Sequence, residues 1–257
     1  MPFTFAHPGF TLPIKKWKPQ FFSVTGLFFG SIAPDLDILL RLSNPRFHIF
    51  QYDLFCIVMY IFPIALLFSV FFHLVMRNVF IDHLPEVFYK RVSEYKNFNY
   101  LRYLKKNWFI VSLSVFAGIF LHLFLDLISH YDAGIFKVYG GIMFLSRATA
   151  EFYYYMVLYG PALLLTGIGF YLMWQAFHFR IADFKQAKTE ILSDKKKVLF
   201  YILLAITACI MAIIKTAISG IDKELFLDNI LINMTNGCLV AGVLVPSFYF
   251  ALNKIKN

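Results

Sequence analysis

The chain has 257 residues, 60% of them hydrophobic and only 15% charged, with a mean hydropathy of +0.67. Soluble domains carry about 25% charged residues, so this composition excludes an ordinary soluble enzyme and points to a chain that crosses a bilayer several times. The net charge of +9 comes from Lys and Arg placed between apolar runs, as in cytoplasmic loops of membrane proteins, and no nucleic-acid partner is expected.

The N-terminus, "MPFTFAHPGFTLP", lacks a basic stretch followed by a continuous apolar run, so no cleavable signal peptide is expected there. The next segment, 21–40, has a short apolar part and is interrupted by Pro34, Asp35 and Asp37. It reads either as a broken span or as the return arm of a re-entrant hairpin beginning near His7. Five runs are long enough, at 1.5 Å per residue, to cross a hydrocarbon core of about 30 Å: 54–75, 108–129, 153–177, 198–219 and 230–252. The expected fold is therefore an all-α, polytopic membrane helical bundle, five long transmembrane helices plus the N-terminal broken or re-entrant segment. It forms a single membrane domain over 1–257. Residues 1–135 carry the motifs, and 153–252 supply three further transmembrane helices.

Loop charges set the expected orientation. Loop 76–107 holds seven Lys or Arg and loop 178–197 holds six, whereas 130–152 holds two and 220–229 one. The positive-inside rule places the first two loops and the C-terminal tail in the cytoplasm. Loop 76–107 is long enough for an amphipathic helix at that surface. His73 and His83 flank it, and His178 begins the other basic loop. All three are read as surface residues, and Lys215 as a snorkelling one. Cys56, Cys209 and Cys238 lie within apolar runs without metal-site spacing and read as buried small hydrophobes.

The second run, 108–129, ends in "FLHLFLDLISH". His122, Asp126 and His130 are each four residues apart, which sets them on one helical face about 12 Å long. Ser114 and Gly118 continue that face as small residues and permit close helix packing. An intramembrane Asp costs roughly 2.5–3.5 kcal/mol at mid-bilayer, so a paired or functional role is expected. His122 and Asp126 at i,i+4 can share one ion, as the two histidines of an H-E-x-x-H helix do. His130 lies too far along to share it and suits a second ion or a proton-transfer role. Asp35 and Asp37 form a second acidic group, and carboxylates with imidazoles are usual ligands for zinc, manganese or iron. His7 and His48 add imidazoles on the same external side. Arg41, Arg46 and Arg147 are the external arginines and could meet a phosphate. Asn233 and Asn236 read as interhelical hydrogen-bonding residues of the last span.

The ordered set "MPFTFAHP", "GSIAPDLD", "RFH" and "HLFLDLISH" resembles the bacterial integral membrane proteins of the domain of unknown function 4184 family. More distantly it is similar to the LexA-binding family of inner-membrane metal-dependent hydrolases, and through them to zinc-dependent phospholipase C. By that resemblance His7 matches an early His, Asp35 and Asp37 a Pro-Asp-x-Asp pair, and His122 and Asp126 a His-x-x-x-Asp. Around His48 the chain lacks the paired His, the Gly and the Ser of the hydrolase motif. His130 extends the pattern.

The leading expectation is a metal-dependent hydrolase at the external face of a bacterial inner membrane, acting on a phosphoester or other ester. The metal would be one or two divalent ions, zinc by type, held by His7, Asp35, Asp37, His48, His122 and Asp126. Asp37 or Asp126 would serve as general base, with His130 as a further catalytic group. The partners are the lipid bilayer and a lipid or phosphoester substrate. Two other readings stay open: an ion- or proton-coupled transporter, and a structural protein whose polar stripe packs helices.

Overall fold

The computed structural model describes residues 4–36, 54–129, 160, 163–175, 192–219 and 226–256. Among them there is no strand. A 3-10 turn, Thr4–Ala6, leads into α1 (His7–Trp17), and α2 (Val24–Ile32) ends in a second 3-10 turn, Ala33–Leu36. Then come α3 (Leu54–His83), α4 (Glu86–Val92), α5 (Tyr100–Lys106), α6 (Trp108–Ser129), α7 (Leu163–Gln175), α8 (Asp194–Ser219) and α9 (Phe226–Lys256).

Four helices are long and apolar enough to cross a membrane: Leu54–His83, Trp108–Asp126, Asp194–Ile218 and Ile230–Ile255. They mark the chain as an integral membrane protein. Only 11% of the α8 window is buried within the protein, so its exposed isoleucines require lipid around them. Of the remaining expected span, 153–177, the described part is the shorter apolar helix α7, and the rest lies outside the described residues.

The chain divides into two compact units. The first takes Met1–Pro34, Ile57–Leu66 and Asn107–Phe179. Its centre is the pairing of α2 with α6. Ser23 caps α2, its Oγ accepting from the Gly26 amide at 3.4 Å, while its own amide donates to Ser114 Oγ on α6 at 2.7 Å. Gly26, Gly30 and Gly118 let the two backbones touch. A Cβ on Gly30 would lie 2.2 Å from the Val115 carbonyl oxygen, and one on Gly118 would lie 2.6 Å from that of Leu27. The small-residue face expected on α6 is thus the face that meets α2. Glycine also joins α1 to α7, where a Cβ on Gly9 would sit 1.9 Å from the Gly169 oxygen.

The second unit takes Asp35–Cys56, Leu67–Lys106 and Arg180–Asn257. Here α8 pairs with α9, close enough that a Cβ on Gly237 would stand 2.2 Å from the Ala208 oxygen. Val79, Phe200 and Val245 form its buried cluster.

Helix α3 runs past the expected end of its span, because its far turns find partners of their own. Arg77 donates to the carbonyls of Phe98 (2.7 Å) and Lys96 (2.9 Å), and Lys96 reaches Asp82 at 2.6 Å. The helix stops at Leu84, which is extended (ψ 149°) as a residue preceding proline must be. Two π-helical turns, Ile57–Ile61 and Phe72–Met76, interrupt it. The first lies where Pro63 cannot donate to the Met59 carbonyl, and the wider turn accommodates that gap.

Three surface readings are corrected by this extension and pairing. His83 is 5% exposed, donates Nδ1–H to the Val79 carbonyl at 2.7 Å and stacks on Phe200 with centroids 4.1 Å apart. His73 stacks on Tyr100 at 4.1 Å. Lys215 is 5% exposed and does not snorkel outward. Conversely, Cys209 and Cys238 are exposed, because the apolar faces that carry them are turned to lipid and not to a protein core. His178 lies outside the described residues.

Candidate metal centre

His7 opens α1. Pro8 follows in the first turn, where a helix has no use for the missing N–H. The ring of His7 is fully buried, and its Nδ1 faces the Thr4 carbonyl at 3.3 Å. His122, also fully buried, projects from α6 toward α2, with Nδ1 2.7 Å from the Ser31 carbonyl. That contact depends on the glycine seam, since Ser31 is the residue after Gly30 and its amide lies 2.7 Å from the position of a Cβ on Gly118.

A carbonyl oxygen only accepts, so each Nδ1 carries the ring hydrogen and each Nε2 offers its lone pair when the ring is neutral. The two rings stack, with centroids 4.2 Å apart and planes 22° from parallel. Both Nε2 atoms face Asp126, one helical turn beyond His122 and 9% exposed. His122 Nε2 is 3.2 Å from Oδ2, and His7 Nε2 is 3.7 Å from Oδ1. The second distance is too long for a hydrogen bond, and His7 Nε2 has no such partner among the described residues.

One donor atom from each of His7, His122 and Asp126 lies within 4.8 Å of the other two. Electron pairs converging in so dry a place repel one another unless a positive charge sits among them. A cation placed among the three atoms would relieve that repulsion. A tetrahedral ion with bonds of about 2.0–2.1 Å separates its ligand atoms by about 3.3–3.4 Å, close to the two distances seen. The backbone carbonyls behind both rings are the kind of partner that fixes a ligating histidine's tautomer.

Of the other residues expected in the site, Asp35 is described. It sits in the 3-10 turn after α2, 1% exposed, and is not one of the three clustered residues. Asp37, Arg41, Arg46, His48, His130 and Arg147 lie outside the described residues. Sequence spacing found the His122–Asp126 pair but not the stack of His7 on His122, which joins helices far apart in the chain. The available signal was the Gly26-x-x-x-Gly30 spacing on α2 opposite Ser114 and Gly118 on α6.

No curated protein and no solved structure matches the chain. A family model does match, over residues 1–247, which is nearly the whole length. The chain belongs to the family described as Domain of unknown function (DUF4184).

Proposed function

We propose that His7, His122 and Asp126 hold a divalent cation, zinc by the chemistry of the donors, and that the protein is a metal-dependent hydrolase of a membrane-associated ester. One observation supports this above the rest: three buried donor atoms converge within 4.8 Å, with both imidazoles fixed from behind by backbone carbonyls. Two histidines and one carboxylate are the three-ligand set of hydrolytic zinc sites, which keep a further position open to substrate. Zinc in this place would supply Lewis acidity at neutral pH. His7 and His122 would bind it through Nε2, and Asp126 would bind it and balance its charge.

Asp35, Asp37, His48 and His130 are the reserve of further ligands and bases, and Arg41, Arg46 and Arg147 the candidate phosphate contacts. Loop charge supports an external position for the site and a cytoplasmic C-terminus in the inner membrane.

The test is metal analysis of detergent-purified protein in zinc-supplemented, chelator-free buffer, beside turnover of a phosphodiester and of phospholipid vesicles. The expected result is one zinc per chain, absent from His7→Ala, His122→Ala and Asp126→Asn, with turnover lost on chelation and regained with zinc. A wild-type protein without metal would overturn the proposal. The 3.2 Å approach of His122 to Asp126 also suits an imidazolium–carboxylate pair in a proton path. That second reading predicts pH-driven flux in vesicles without bound metal.

A further inference from the structure

The turn between α1 and α2 carries charge of one sign. No Asp or Glu precedes Asp35, whereas Lys15, Lys16 and Lys18 surround Trp17 at the end of α1. The turn is shaped from within. Lys15 donates to the carbonyls of Pro19 and Phe22, and the amides of Lys18 and Phe21 bond to the carbonyls of Ile14 and Lys18. Residues 16–21 are exposed without a break, Trp17 at 76% and Phe21 at 52%. Lys18 lies over the Trp17 ring, its Nζ 5.3 Å from the centroid.

Helix register gives this turn its place in the first unit. His7, at the start of α1, meets His122, and Ser23, at the start of α2, meets Ser114. Thus α1 runs against α6 and α2 runs with it. The turn lies beside the first turns of α6, at the end of the unit opposite the metal centre. The apolar span of α6 begins at Trp108, about 21 Å along the helix from His122. Trp108 is 65% exposed and Phe109 64%. Exposed aromatic rings and lysines gathered where an apolar span begins are the composition of a membrane–water boundary. The rings alone would suit any apolar cover. Cations with no acid among them select a cover whose surface is negative.

We infer that the α1–α2 turn binds anionic phospholipid. Trp17 and Phe21 rest among the first acyl carbons, and the ammonium groups of Lys16 and Lys18 contact headgroup phosphates. Phosphatidylglycerol leaves its phosphate charge unbalanced, whereas choline balances that of phosphatidylcholine, so the turn distinguishes the two lipids.

Trp108→Phe and Trp174→Phe leave Trp17 the single tryptophan, so its fluorescence reports on the turn alone. The full chain carrying these two changes is reconstituted in mixed bilayers of phosphatidylglycerol and phosphatidylcholine, with bromine on the acyl chains of one lipid at a time. Bromine quenches only rings in contact with it. Brominated phosphatidylglycerol is expected to quench Trp17 more, its association constant exceeding that of phosphatidylcholine by about fivefold for each of the two lysines. Lys16→Gln with Lys18→Gln should bring the ratio to about one. Salt at about 1 M, where charges are screened within about 3 Å, should do the same without those two changes. Lys195→Gln with Lys196→Gln, at exposed positions of α8, should leave the ratio unchanged. Equal quenching by the two lipids would overturn the inference, as would a ratio that survives loss of Lys16 and Lys18 or falls with the α8 lysines. So would a Trp17 that neither lipid quenches; if aqueous iodide also fails to reach it, the cover is protein.

Discussion

Burial without solvent decides what single side chains in this protein can do. Tyr100 is 2% exposed and shares a hydrogen bond of 2.8 Å with Ser69, while His73 stacks on its ring. Burial pushes its phenol above the ordinary value of about 10, an effect that the Ser69 hydrogen bond partly opposes. The folded state therefore resists ionisation more than the unfolded chain does. Any stability tied to the neutral phenol is complete below pH 10 and is lost as pH rises from there through the raised folded value. Tyr100→Phe should cost about 0.5–1.5 kcal/mol at neutral pH through the lost hydrogen bond. It should also remove part of the alkaline decline, so that the melting temperatures of variant and wild type converge between pH 9 and 11. Parallel melting curves across that range would show that this phenol is not a source of alkaline lability. His7 stands at the other extreme: its Nε2 has no protein hydrogen-bond partner among the described residues, and the burial that would make this costly for packing makes it usable for binding.

At the level of helices, the site is a consequence of how closely α2 meets α6. A side chain at Gly30 or Gly118 would collide with backbone, not with a flexible side chain, so the helices themselves would have to part. Gly118→Leu should destabilise the protein by about 1–3 kcal/mol or more. It should also withdraw Ser31 from His122 and lower metal content, although residue 118 touches no ligand atom. Gly242→Ala is the control: a Cβ there meets nothing within 4 Å, so metal content should stay as in the wild type and the melting temperature should hold or rise slightly, Ala being the better helix former. If Gly118→Leu melts lower yet keeps full metal content, the seam serves stability alone. This dependence also explains what is legible in the sequence. The helical period places His122 and Asp126 on one face, because both belong to one helix. Which residue completes the cluster is set by packing between helices, and no spacing within α6 specifies His7. His83 departs from its surface reading for a related reason. Charge around 76–107 marks a wet loop, but the helical period that buries Val79 and His83, four residues apart on one face of α3, continues beyond the apolar run.

For the whole molecule the open question is one of parity, and it turns on α7. The described part of α7 has 13 residues, about 20 Å of helix against a hydrocarbon core of about 30 Å. If the segment 153–177 crosses the membrane, both basic stretches, before α6 and before α8, lie on one side, and the C-terminal lysines join them. If it does not cross, Lys195, Lys196 and Lys197 lie opposite Lys105 and Lys106, against the rule that basic loops share the cytoplasmic face. Membrane-impermeant labelling of single cysteines at Lys105, Lys195 and Lys254, in a background with Cys56, Cys209 and Cys238 replaced by Ala, separates the two cases. All three sites should be protected in intact cells and should label only after permeabilisation. Labelling of Lys195→Cys and protection of Lys105→Cys in the same intact cells would mean that α7 only dips into the bilayer. In that case the C-terminus, two further spans along, would share the exposure of Lys195. The proposed site would be unaffected by the outcome for α8 and α9. His122 and Asp126 lie about 20–27 Å along α6 from Trp108, and a cytoplasmic Lys105 is enough to place them toward the opposite face.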